Sequence, residues 1–379
     1  MRKLLLICLT IILILIGTFK SQTNYVKAIG GISARDVVLM EEKTGRVLYG
    51  KNIHQSEKIA SITKIMTAIL AIESGKMKKT VTVSWNAVRT EGSSIYLKTG
   101  QKIKLEDLVY GLMLRSGNDA ANAIAEAVGG SVEGFVYLMN EKAKEIGMKD
   151  TYFSNPSGLD EKGKEHYSSA YDMALLTRYA MHNPIYQKIA GTKIYRSDSW
   201  DYSWKNKNKL LTSMYKFSTG GKTGFTKKAG RTLVSTASKN NMNLIVVTLN
   251  APSDWQDHMQ LFEYGFENYP QTKVLKMGGI KEVKHKIYKN HVFIKNNFEY
   301  PLSNEEEKEV TILYQMKKPT KDNPQDGQIV GKAIIKLEGK EIGYRNIFYS
   351  NSSVKILSKE IIEQTKQLFL HFIGEKFNG

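Results

Sequence analysis

Hydrophobic and polar positions alternate along this chain in three regimes. The first is a single apolar run, Leu4 to Gly17, broken only by Cys8 and Thr10 and preceded by Met1-Arg2-Lys3. A short positive region, a short apolar core and then Val26-Lys27-Ala28 read as an export signal over residues 1–28. The run is short for a membrane span, which needs roughly 20 residues, so a retained anchor is the secondary reading.

In the second regime, 29–273, helical and strand periods alternate. Val37 to Met40 and Arg46 to Tyr49 flank Glu42-Lys43-Thr44-Gly45, the pattern of a hairpin. Ala60 to Glu73 is apolar almost all round, which predicts a helix buried at the domain centre. Helical patterns follow over Leu105 to Leu114, Ala120 to Val128, Val132 to Ile146 and Tyr171 to Met181. Thr232 to Ser238 and Leu244 to Leu249 are then Val-, Leu- and Thr-rich strands joined by Lys239-Asn240-Asn241. The predicted class is α/β of the α+β kind: terminal strands in one antiparallel sheet, with a large helical insertion between them.

The third regime starts near Tyr269-Pro270. Over 274–350 short alternations such as Val310 to Tyr314 and Ala333 to Leu337 predict a small all-β domain. The last stretch, 351–379, is helical in pattern. Leu357, Ile361, Ile362, Leu368, Phe369, Phe372 and Ile373 share one face, suited either to a bilayer interface or to packing on the β domain.

Composition changes this picture in two ways. The one cysteine, Cys8, lies in the predicted signal, so the exported part has no disulfides and depends on its core. The net charge is +18 over 379 residues. For an exported protein that favours anionic wall polymers or lipid headgroups over nucleic acid, for which no motif appears. The seven histidines are scattered with no metal-ligand spacing, and no metal or organic cofactor is expected. His166 and His258 read as surface or structural residues.

The candidate chemistry lies in three strings, in order: Ser61-Ile62-Thr63-Lys64, Ser116-Gly117-Asn118 and Lys222-Thr223-Gly224. Each is common by itself; their order, on a helix, a loop and a strand, is not. Ser61 and Lys64 lie on one helix face. Serine is a poor nucleophile until a base takes its proton. Lys64 serves only when neutral, which burial and the nearby cation Lys222 favour. Ser116 is placed to relay a proton to a leaving group, and Asn118 to hold a substrate amide. Lys222 and Thr223 suit a terminal carboxylate. Gly224 lets a substrate backbone approach the strand closely. The N–H of Phe225 would complete an oxyanion hole with that of Ser61.

With these strings in place the chain resembles the D-alanyl-D-alanine carboxypeptidases, the low-molecular-mass penicillin-binding proteins of peptidase family S11. The likeness also rests on Asn155-Pro156-Ser157-Gly158-Leu159-Asp160 and Ser169-Ala170-Tyr171-Asp172. Within the family, Lys205 to Leu211 and Asp254 to Met259 look most like the sporulation-associated, cortex-trimming type. The resemblance implies a β-lactamase- and transpeptidase-like catalytic domain, a C-terminal β-rich domain and a membrane-anchoring amphipathic helix. It also implies stem peptides of peptidoglycan as substrates, and β-lactams as covalent inhibitors of Ser61. Many relatives carry a carboxylate-binding arginine after the second strand. Here the segment reads Ala251-Pro252-Ser253-Asp254, with Arg231 the one substitute singled out.

Two other readings stand beside this one. A class A-like β-lactamase needs a glutamate to activate the deacylating water, and neither Glu161 nor Glu165 has the expected spacing. The intact Ser61 and Lys64 argue against a non-catalytic penicillin-binding sensor or wall-tethering module.

Overall fold

The computed structural model describes residues 30–318 and 324–354. The predicted signal and nearly all of the predicted terminal helix lie outside the described residues. Among the described residues no helix is long and apolar enough to cross a membrane.

The catalytic half is built on one antiparallel sheet. β1 (Asp36–Glu41) and β2 (Val47–Lys51) form the expected hairpin, with a bulge at Leu39/Met40. β3 (Ser218–Thr226), β4 (Gly230–Lys239) and β5 (Met242–Leu249) form a meander. The order is β2-β1-β5-β4-β3, so the first and last strands of the domain share a sheet and β3 is an edge. All the helices between β2 and β3 are therefore an insertion, as the sequence predicts. The helix Asp254–Asn268, here α2, covers the other face.

At the centre lies α1 (Lys64–Glu73), buried at every position but the last. Here the structure departs from the expected uniform helix over Ala60 to Glu73. Ala60–Thr63 is a 3-10 turn, and Ala60 takes φ +49°. A left-handed alanine is strained by about 1–2 kcal/mol, and it tightens the chain just before Ser61. The helix expected over Leu105 to Leu114 divides likewise, into Leu105–Tyr110 and a π-helical turn, Gly111–Arg115. That widened turn ends on Ser116 at φ +65°. Both departures flank candidate catalytic serines, where strained backbone tends to collect.

The loop Asn155–Leu159 locks the start of α1. Asn155 Oδ1 accepts the N–H groups of Ser157 (3.1 Å) and Gly158 (2.8 Å). Thr67 Oγ1 donates to Pro156 O at 2.6 Å. Gly158 has φ +78°, and a Cβ there would lie 1.9 Å from Ala60 O. His166 finishes the brace: its Nε2 donates to Thr63 Oγ1 at 2.8 Å and its Nδ1 accepts from Ser154 N at 3.1 Å.

The second half carries its own sheet: Gly278–Gly279, Val292–Ile294, Lys340–Tyr349, Ile329–Leu337 and Val310–Met316, in that spatial order. Val292, Ile294, Ala333, Ile335 and Ile347 fill its separate core. It is not purely β: Ser303 starts a short helix, Asn304–Lys308, through a capping box with Glu306. Arg46, from the β2 hairpin, bonds Pro301 O and the Glu306 carboxylate, with Tyr269 and Tyr300 on either side. Arg46 thus helps tie the two domains together, alongside the Lys43–Glu299 ion pair at 3.6 Å and the bond from Gln271 Nε2 to Glu41 Oε1 at 3.2 Å.

Two predictions follow from this packing. Gly158→Ala should cost ~3 kcal/mol or more, because the backbone carbonyl it strikes belongs to an already strained residue; urea denaturation measures it. His258 is fully buried between Ser235 Oγ and Thr248 Oγ1, and burial pushes it down to about 3, as it does His166. The unfolded chain binds protons there near pH 6.5 and the folded one does not. The stability of the neutral state is thus complete above about 6.5 and falls as pH drops toward 3. The urea midpoint should fall through that window, and His258→Gln should flatten the fall.

Candidate active site

The three predicted strings meet at the junction of the 3-10 turn, the Ser116 turn and the edge strand β3. Lys64 is fully buried, and its Nζ has three neighbours: Ser61 Oγ at 2.9 Å, Asn118 Oδ1 at 2.7 Å and Ser157 O at 2.6 Å. Asn118 cannot present its amide nitrogen instead, because Nδ2 donates to Glu91 O at 2.6 Å. Two of the three neighbours are therefore obligate acceptors.

The electrostatics fix the rest. Burial, then Lys222 and Lys207, hold Lys64 well below the usual lysine range, with Asp119 opposing them weakly. A neutral amine has two hydrogens and one lone pair. Ser157 O and Asn118 Oδ1 take the hydrogens, so the lone pair faces Ser61 Oγ. The geometry presents a base to a hydroxyl.

Ser116 is buried, and its left-handed backbone turns Oγ to within 3.1 Å of Lys222 Nζ. Lys222 also donates to Thr223 O at 2.7 Å. It is 2 % exposed, and burial together with Lys207 lowers it to about 7. Gly224 stands where β3 crosses the 3-10 turn. A Cβ there would lie 3.0 Å from Ser61 N, 3.1 Å from Ile62 N and 2.4 Å from Thr232 Oγ1. Thr223 is half-buried beside it, and the Phe225 ring is exposed at the rim.

The structure thus brings together Ser61, Lys64, Ser116, Asn118, Lys222, Thr223, Gly224 and Phe225. Arg231 is in β4, opposite Phe225, and its Nε and Nη2 both bond Asp254 Oδ1. His166 and His258 are buried in structural hydrogen bonds rather than at the surface. Glu161 pairs with Lys164, and Glu165 is exposed at the surface.

Several supporting groups carry no chemical signal in the sequence. The Ser157 carbonyl is a backbone group, presented by the Asn155 turn. Asp119 accepts from Ser94 Oγ (2.6 Å), Ile95 N and Leu97 N (both 3.1 Å), and so holds the loop above Asn118. Lys207 reaches the cleft wall, where Nζ lies 3.5 Å from Ser93 Oγ. Only its effect on the other two amines marks it out.

Residues 21–253 match the D-alanyl-D-alanine carboxypeptidase family, Peptidase S11, and residues 269–360 match the penicillin-binding protein 5 C-terminal domain. The chain is 35 % identical over 327 residues to D-alanyl-D-alanine carboxypeptidase DacF of Bacillus subtilis, spanning 81 % of this chain and 82 % of that protein. It is 33 % identical to DacC of Escherichia coli, over 83 % and 82 % of the two chains. Penicillin-binding protein 5 of Haemophilus influenzae superposes with a TM-score of 0.71 at 30 % identity, over 87 % of this chain and 99 % of that one. The Streptomyces K15 DD-transpeptidase superposes on 62 % of this chain with a TM-score of 0.59. With residues 21–253 and 269–360 each matched and 35 % identity to a relative over most of both chains, the chain belongs to the D-alanyl-D-alanine carboxypeptidases of peptidase family S11.

Proposed function

We propose that this protein is a serine carboxypeptidase that removes the terminal D-Ala from peptidoglycan stem peptides, with Ser61 as the nucleophile. The observation that carries it is the Lys64 amine, whose two hydrogens are claimed by Ser157 O and Asn118 Oδ1. Ser61 Oγ attacks the carbonyl carbon of the penultimate D-Ala and passes its proton to Lys64. The N–H groups of Ser61 and Phe225 receive the negative oxygen; β3 is an edge strand, so alternate N–H groups face the cleft. As the C–N bond breaks, Ser116 protonates the leaving amine and takes a proton from Lys222, 3.1 Å away. Lys64 then loses its proton to solvent and Lys222 regains one from it; water attacks the ester carbonyl, gives its proton to the neutral Lys64, and Lys64 passes that proton to Ser61 Oγ as the acyl–oxygen bond breaks. A β-lactam enters by the same first step and stays on Ser61.

The finer assignments form part of the proposal. The chain divides at 28/29, 273/274 and 350/351 into signal, catalytic domain, β-rich domain and anchoring helix. The product works outside the cytoplasm, at the membrane surface, on wall or spore-cortex peptidoglycan. The family match and the net charge of +18 support this.

D-Ala release from a peptide ending in D-Ala-D-Ala tests the central reading. Ser61→Ala should abolish release and penicillin labelling together, and Lys64→Met should slow acylation by roughly 10²–10⁴-fold, the usual worth of a general base. Retained release in Ser61→Ala would sink the assignment.

The pH profile tests the charge arrangement. Activity needs Lys64 neutral, so kcat/KM should fall on the acid side. It needs Lys222 charged, so it should fall again above about 7. Lys207 lowers both amines. Lys207→Gln should therefore move both limbs to higher pH.

A further inference from the structure

The leaving D-Ala carries a free carboxylate, and an exopeptidase has to sense it. Given the function proposed above, a cation near the scissile bond must receive that carboxylate. Lys222 is buried, with Nζ already bonded to Ser116 Oγ and Thr223 O. Lys207 stands on the opposite wall beside Ser93.

Arg231 is placed differently. In the β3–β4 ladder Phe225 faces Arg231 and Thr223 faces Leu233. Directly opposed residues of an antiparallel pair project to the same side. Diagonal neighbours lie about 7–8 Å apart, within reach of long side chains. Arg231 therefore shares a face with Thr223 and lies on its diagonal.

Its guanidinium is also aimed. Nε and Nη2 donate to Asp254 Oδ1 at 3.0 and 2.6 Å, and that oxygen also accepts Trp255 N at 2.8 Å. Asp254 is 3 % exposed, whereas the arginine side chain is 41 % exposed. The Trp255 ring lies 5.6 Å from the guanidinium carbon. Nη1 has no hydrogen-bond partner among the described residues. A planar fork fixed at one edge by a buried carboxylate, with its other edge in solvent, is preorganised for a second carboxylate.

We propose that Arg231, oriented by Asp254 and Trp255, binds the C-terminal carboxylate of the substrate beside Thr223 and so confers exopeptidase selectivity. Asp254 offsets the arginine's charge, so the recognition comes from the direction of the fork more than from net potential. This site takes the place of an arginine after β5, where the chain reads Ala251-Pro252-Ser253.

The test compares two peptides that differ only at the end, D-Ala-D-Ala as the free acid and as the primary amide. Arg231→Gln should lower kcat/KM for the acid roughly 10–100-fold, the worth of a hydrogen bond to a charged group. The amide should be little affected, so the acid-to-amide ratio collapses. Arg231→Lys should restore the ratio only in part, because the fork is lost. Arg231→Gln leaves Asp254 buried without its partner, so Arg231→Gln/Asp254→Asn, checked for an unchanged melting temperature, should show the same collapse. An unchanged ratio, an equal fall for both peptides, or a collapse in Lys207→Gln instead would overturn the proposal and leave the serine carboxypeptidase reading intact. Penicillin labelling of the wild type without turnover of either peptide would overturn both.

Discussion

A primary amine buried without a carboxylate beneath a serine hydroxyl is the constraint on which the rest of this structure depends. Lys64 lies on the most buried helix of the protein, and its charged form would cost several kcal/mol there. No ion pair to it forms among the described residues; the neighbours are a backbone carbonyl, an amide oxygen and a hydroxyl. The fold therefore stabilises the neutral amine. Ser61, Asn118 and Ser157 each place an oxygen at the amine.

The Asn155–Leu159 loop shows how much of the fold serves that end. Its Asx turn directs one carbonyl at Lys64, its glycine seats against Ala60, Thr67 pins it to α1, and His166 links Thr63 to Ser154 just before the loop. The loop thus presents a carbonyl, that of Ser157, to the Lys64 amine at 2.6 Å. A carbonyl holds the lysine in place by accepting one of its hydrogens.

The edge position of β3 supplies the other half of the site. An edge strand has unpaired backbone groups, which a globular protein normally shields. Here they line a cleft closed by the helical insertion. Gly224 allows the strand its close approach to the turn, since a Cβ there would lie 3.0 Å from Ser61 N and 2.4 Å from Thr232 Oγ1. The meander also brings β4 alongside, which is how Arg231 comes to share a face with Thr223. The C-terminal sheet has its own core, and its half of the chain meets the catalytic half around the β1–β2 hairpin, through Arg46, Lys43 and Glu41.

The sequence by itself determined the period of each main element, the order of the three strings and the insertion of helices between terminal strands. Hydrophobic spacing is local, and the hairpin and helix signals around Val37–Tyr49, Val132–Ile146 and Thr232–Leu249 were legible for that reason. The short helix after Ser303 was missed because five residues carry too little period beside strong alternation. Only the tertiary structure decided the left-handed Ala60 and Ser116, since neither residue type favours that conformation and distant packing imposes it. It also decided the role of the Ser157 carbonyl, which has no side-chain signature. Likewise Asp254, an ordinary helix-start residue by its spacing, became the anchor of Arg231 because sheet register and helix docking brought them together. The chemistry was written in residue types; its protonation and direction came from burial, which only the assembled chain creates.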